Sequence, residues 1–122
     1  MQQRDFEQLV AEALDELPRR FRRYVQNVAV VVEAAPSREL LEAMELWPDG
    51  TLLGLYEGVP LTERGYGFGN ALPDRITIFQ RPIEEMCSTA HDIKSAVQET
   101  VLHELGHYFG LDDDQLDALM EE

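Results

Sequence analysis

His103, Glu104 and His107 fall in the run ETVLHELGHYFGLDD, residues 99–113, in the pattern H-E-x-x-H. Four residues of an α-helix advance about 6 Å and turn about 400°, so histidines at this spacing project from nearly one face, one turn apart, and can grip one metal ion. Glu104 lies about 100° around the helix from His103, which suits a general base touching a metal-bound water better than a ligand in the same position. Zinc held by neutral nitrogen ligands lowers the pKa of its water from 15.7 to about 7, and a neighbouring carboxylate takes the proton as the water attacks a carbonyl.

A catalytic zinc usually takes three protein ligands and keeps one open position. Downstream, Gly110 and Asp113 extend the pattern to H-E-x-x-H-x-x-G-x-x-D, in which a glycine ends the helix in a left-handed turn and the acid returns to the metal. Asp113 is the candidate third ligand, with Asp112, Asp114 and Asp117 as neighbouring acids, and one Zn²⁺ per chain is expected. Each residue also has a plainer use. The histidines can bond backbone from the core, Gly110 can cap a helix, and Asp113 can start the next segment. Those uses do not explain why all five fall at metal-site spacing.

The helix that carries the motif needs core behind it. On a 100° wheel Val97, Val101, Leu102, Leu105, Tyr108 and Phe109 form one broad arc, with His103 and His107 roughly opposite. Ser88 or Asp92 is placed to cap its start. Upstream, residues 4–17 carry Phe6, Leu9, Val10, Ala13, Leu14 and Leu17 at helical spacing, which predicts an amphipathic helix packed on a sheet. Pro18 marks a break or a new helix start. The valine-rich stretch 27–34 predicts a buried, central strand. Ser37 caps a short helix to about Met44, and Trp47-Pro48-Asp49-Gly50 is a turn. Residues 52–57 and 75–80 predict two further strands, the latter ended by Pro82, with a glycine-bearing loop 61–73 between them and a short helix or turn over 81–90. Helices and strands in this mixed order imply an α+β fold, a small mixed sheet of about three or four strands packed on the motif helix.

At 122 residues the chain is expected to form one domain, 1–122, and 44% hydrophobic residues support a globular core. No apolar run nears the ~18 residues of a membrane span. The polar, acidic N-terminus lacks a signal-peptide pattern and Cys87 stands alone, so a cytoplasmic, reducing setting and a structural thiol are expected. A net charge of −14 argues against nucleic-acid binding, and the acids crowd into residues 99–122, where no lysine or arginine falls. That field favours cations and substrates with basic residues. Arg19, Arg20, Arg22 and Arg23 form the basic cluster, read as a charge-balancing helix face or an anion site.

The motif, with Leu53-Gly54-Leu55-Tyr56-Glu57-Gly58-Val59-Pro60-Leu61-Thr62-Glu63-Arg64 and Leu72-Pro73-Asp74-Arg75-Ile76-Thr77-Ile78-Phe79, resembles the minimal zincins, short bacterial metallopeptidase-like proteins, over roughly residues 50–117. The resemblance implies a zincin-like fold, zinc at His103, His107 and Asp113, and peptidase chemistry, but not a substrate; the short chain leaves room for only a shallow cleft, which suits small peptides or unfolded proteins. In zincin architecture an edge strand beside the site pairs with extended substrate, so one of the two later strands is the candidate. Only nine residues follow Asp113, too few for the methionine-containing turn of metzincins. The oxyanion stabiliser is left open among Tyr56, Tyr66, Arg75 and His91. The competing reading is a catalytically silent, metal-stabilised protein-binding module. A calcium loop on the clustered aspartates fails the spacing and glycine requirements.

Overall fold

The computed structural model describes residues 1–25, 28–58, 74–108 and 114. The elements in order are α1 (Gln3–Asp15), α2 (Arg19–Val25), β1 (Ala29–Glu33), α3 (Arg38–Ala43), β2 (Gly54–Glu57), β3 (Arg75–Phe79), α4 (Gln80–Glu85) and α5 (Ala90–Tyr108). The fold is α+β, as expected, with three strands among the described residues in the order β1-β3-β2. β1 runs parallel to β3 from Ala29↔Arg75 to Glu33↔Phe79, and β2 runs antiparallel to β3 from Gly54↔Ile78 to Glu57↔Arg75.

The central strand is therefore β3, and the valine-rich β1 lies beside it rather than in the middle. Burial explains the difference. Ile76, Thr77, Ile78 and Phe79 are all buried, so both faces of β3 are covered, whereas Val30, Val31 and Val32 are only half-buried. Valine content reports a residue's fit to a pleated surface and not the rank of its strand in the sheet.

The core behind the sheet joins Phe6, Val10 and Ala13 of α1 to Ile76 and Ile78 of β3 and to Ile93, Ala96, Val97, Val101 and Leu105 of α5. The amphipathic stripe of α1 meets α5 as well as the sheet. Two polar links fix that helix pair. Gln98 Nε2 donates to the Ala13 carbonyl at 2.8 Å, and Lys94 Nζ lies 3.0 Å from Glu16 Oε1. Pro18 opens α2 by accepting N–H bonds from Phe21 and Arg22. The arginines beside it have local duties: Arg22 Nε donates to Leu17 O at 2.7 Å, and the Arg20 guanidinium stacks 4.9 Å from the Phe21 ring centre.

Local signals set several element ends. The Ser37 side chain accepts the Leu40 N–H and caps α3. Pro82 does not end β3 directly. It sits in the first turn of α4, which starts at Gln80, where a missing N–H costs nothing. The cap of α5 is Thr89 rather than Ser88 or Asp92. Thr89 Oγ1 accepts the Asp92 N–H at 3.0 Å while Asp92 Oδ2 reaches back to the N–H groups of Ser88 and Thr89. This is a capping box with aspartate in the glutamate place. The Ser88 N–H first, and the Thr89 bonds after it, hold the Asp92 carboxyl below its ordinary range. Thr89→Ala should cost about 1 kcal/mol in chemical denaturation. Cys87, beside this cap, is half-buried and packs on the core; burial first, then the Asp92 charge, pushes its thiol up.

Candidate active site

α5 turns Ile93, Ala96, Val97, Thr100, Val101 and Leu105 into the protein and leaves His103 half-buried and His107 exposed. Leu102, placed by the wheel on the buried arc, is only half-buried, and the Tyr108 side chain and Phe109 lie outside the described residues. His103 follows the buried Ala96 and Thr100 on one face, so the two imidazoles lie a turn apart at the margin of the packed face and not opposite to it as the wheel predicts.

Glu104, also half-buried, has a partner that the motif does not disclose. Its Oε1 accepts the backbone N–H of Tyr56 in β2 at 2.9 Å. The strand register explains why that N–H is available. The Phe79 N–H donates to Leu53 O at 2.9 Å, so Leu53, and by alternation Leu55 and Glu57, direct their main-chain groups to β3. Gly54 and Tyr56 direct theirs outward. β2 has no further strand on that side among the described residues, and Glu104 occupies its edge.

Helix and strand approach closely here. A Cβ at Gly54 would stand 2.6 Å from Thr100 Cγ2 and 3.0 Å from the Thr77 carbonyl, so only a residue without a side chain lets β2 lie this near α5. The Tyr56 hydroxyl donates to Asp74 Oδ2, and Asp74 is itself buried at the foot of β3. An open groove of about 330 Å³ is lined by His103, Glu104, Glu99, Thr100 and Ala96 of α5 together with Leu53, Gly54 and Met86.

Of the expected site residues, His103, Glu104 and His107 come together on α5, while Asp113 lies outside the described residues, as do Tyr66 and the loop 61–73. Among the described residues no group of three His, Cys, Asp or Glu side chains converges to hold a metal. The donor chemistry present suits two of three zinc positions, with the intervening carboxylate drawn to Tyr56. The candidates for oxyanion stabilisation lose ground. His91 is exposed in the first turn of α5, twelve residues or about 18 Å along the axis from His103. Arg75 pairs with Glu57 at 2.9 Å, and the Tyr56 hydroxyl is engaged by Asp74.

Residues 25–122 match the zincin-like metallopeptidase family. The chain belongs to that family. The chain is also similar to a solved structure of a conserved hypothetical protein from Thermo thermophilus, 28% identical, with a TM-score of 0.53 over 98% of each chain. None of the curated proteins matches. Among the described residues of this zincin-like chain no helix is long and apolar enough to cross a membrane.

Burial raises the Glu104 pKa above the ordinary glutamate value, while the Tyr56 N–H, His107 and His103 pull it back. A carboxyl whose pKa is raised by folding contributes stability that is complete below its unfolded-state pKa and is lost as pH rises through the folded value. At neutral pH the charge is a burden on the metal-free fold. Glu104→Gln keeps an acceptor for the Tyr56 N–H without the charge. It should raise the Tm of metal-free protein at pH 7 by a few degrees and at pH 4 by much less, as thermal melts at both values will show.

Proposed function

We propose that this chain is a zinc-dependent peptidase that hydrolyses peptide bonds, with one zinc held by His103, His107 and Asp113 and with Glu104 as general base. The observation that carries the reading is the Glu104–Tyr56 bond, which holds the carboxylate of H-E-x-x-H against the outward edge of β2. Zinc bound there supplies Lewis-acid activation of water and of the scissile carbonyl.

The chain's own residues do the rest. An extended peptide adds to the outward edge of β2, bonding the main-chain groups of Gly54 and Tyr56. A substrate carbonyl that takes the Tyr56 N–H releases Glu104, which then accepts a proton from water and delivers it to the leaving amine. Asp74 holds the Tyr56 ring, and through it the strand, in register. The groove accommodates one side chain and not a folded segment, which favours small or unfolded peptides. The single free Cys87 and the net charge of −14 support a cytoplasmic enzyme without nucleic-acid partners.

The test is a peptide-library digest with and without chelator, beside elemental analysis of untagged protein. Chelator-sensitive cleavage and one zinc per chain are expected, with zinc lost in His103→Ala and in His107→Ala. Stoichiometric zinc in both variants would refute the site. Zinc retained only by Asp113→Ala would move the third position to a neighbouring acid or a second water. Cleavage by no form would turn the reading toward a metal-stabilised binding module.

A further inference from the structure

The groove beside the motif combines an apolar lining with a carboxylate. Its lining is apolar at Leu53, Met86 and Ala96, and its charged residue besides the motif is Glu99, one helical turn or about 6 Å from His103 along α5. Among the described residues no lysine or arginine lines it. Glu104 is drawn to the Tyr56 N–H. Glu99 carries no ion pair or hydrogen bond within the described residues, in contrast to Glu16, Glu42 and Glu57, which pair with Lys94, Arg38 and Arg75. Arg20 lines a second groove that also includes Glu99, but its guanidinium is stacked on Phe21.

We propose that Glu99 selects substrates carrying a lysine or arginine side chain next to the scissile bond, the stem lying on Leu53, Ala96 and Met86 and the cation meeting the Glu99 carboxylate. The inference rests on the peptidase reading and names its substrate class. The groove, at the lower end of the ~300–1,000 Å³ typical of ligand pockets, holds one such side chain. A long cationic residue satisfies both halves of the lining, because its methylenes cover apolar surface while the charge stays at the wet rim. A purely aliphatic side chain leaves Glu99 without a partner, and an acidic one meets two carboxylates.

The test uses zinc-loaded full-length protein and matched peptides with lysine, norleucine or glutamate at the position beside the cleaved bond, scored for both turnover and binding. Wild type should prefer lysine to norleucine by roughly fivefold, the range of an exposed ion pair, and the preference should shrink as salt rises. Glu99→Gln should erase the difference between the lysine and norleucine peptides, and Glu99→Lys should shift preference to glutamate. Because Glu99 is exposed, both variants should fold, as thermal melts will verify. Turnover without a lysine preference, or with one that Glu99→Gln leaves intact, overturns the role of Glu99 and leaves the peptidase reading standing. With no turnover in any form the peptidase reading fails, and binding decides the groove. A Glu99-dependent lysine preference keeps it as a cation-selective site, and equal binding of the three peptides refutes it.

Discussion

Glu104→Ala should lower peptide turnover by about 10²–10⁴-fold while leaving one zinc bound per chain. The two halves of that result separate the roles of adjacent residues on α5. The imidazoles of His103 and His107 keep their common face whatever stands between them, since their spacing is a property of the helix and the helix is anchored by Val97, Val101 and Leu105. The carboxylate alone offers a proton acceptor at the outward edge of β2. Alanine also removes the acceptor of the Tyr56 N–H, so part of a loss could come from a shifted strand. Glu104→Gln separates these causes: the amide oxygen still accepts the Tyr56 N–H, yet it cannot take a proton from water at neutral pH. Equal losses in the two variants assign the effect to proton transfer. A glutamine variant near wild-type rate would show that Glu104 acts by holding β2, and wild-type cleavage in both would end its role as base.

Much of this arrangement was legible in the sequence because it depends on local spacing. The i, i+4 histidines, the apolar arc of α5, the Ser37 cap and the alternation of Ile76 and Ile78 each follow from a helical or strand period acting within a few residues. What could not be read is what depends on the order of elements in space. The Glu104–Tyr56 bond spans 48 residues and exists because β2 falls at the edge of the sheet, with alternate main-chain groups facing out. In the sequence Tyr56 is one of four oxyanion candidates, but it is its backbone N–H that meets the motif, and no residue type signals that. The placement of β1 failed for the same reason, because its valines describe a strand and not its neighbours. Ser88, Thr89 and Asp92 all carry side chains that can cap, and what selects Thr89 is the aspartate three residues after it, which completes a capping box.

Gly54→Ala should destabilise the protein by about 1–3 kcal/mol and cut turnover more than that loss of fold accounts for. The new methyl would stand 2.6 Å from Thr100 Cγ2, and that methyl cannot swing away cheaply, because Thr100 is buried and its hydroxyl is committed to the Ala96 carbonyl at 2.8 Å. The strand must move instead. Tyr56 is two residues along, so lifting β2 from α5 displaces the N–H that meets Glu104, and a misplacement of about 1 Å at a reacting group is worth up to 10²-fold. Thr100→Ser supplies the control. It deletes the colliding methyl and keeps a hydroxyl for Ala96, so the double variant should recover about half of the lost stability; the 3.0 Å approach to the Thr77 carbonyl, a backbone atom of the central strand, is still present. A thermodynamic cycle over the four proteins measures the coupling, and a value near zero would show that β2 and α5 do not meet at Gly54 as described. Recovery of turnover along with stability in the double variant would tie the peptidase rate to the separation between this strand and this helix, which is set by the absence of one side chain.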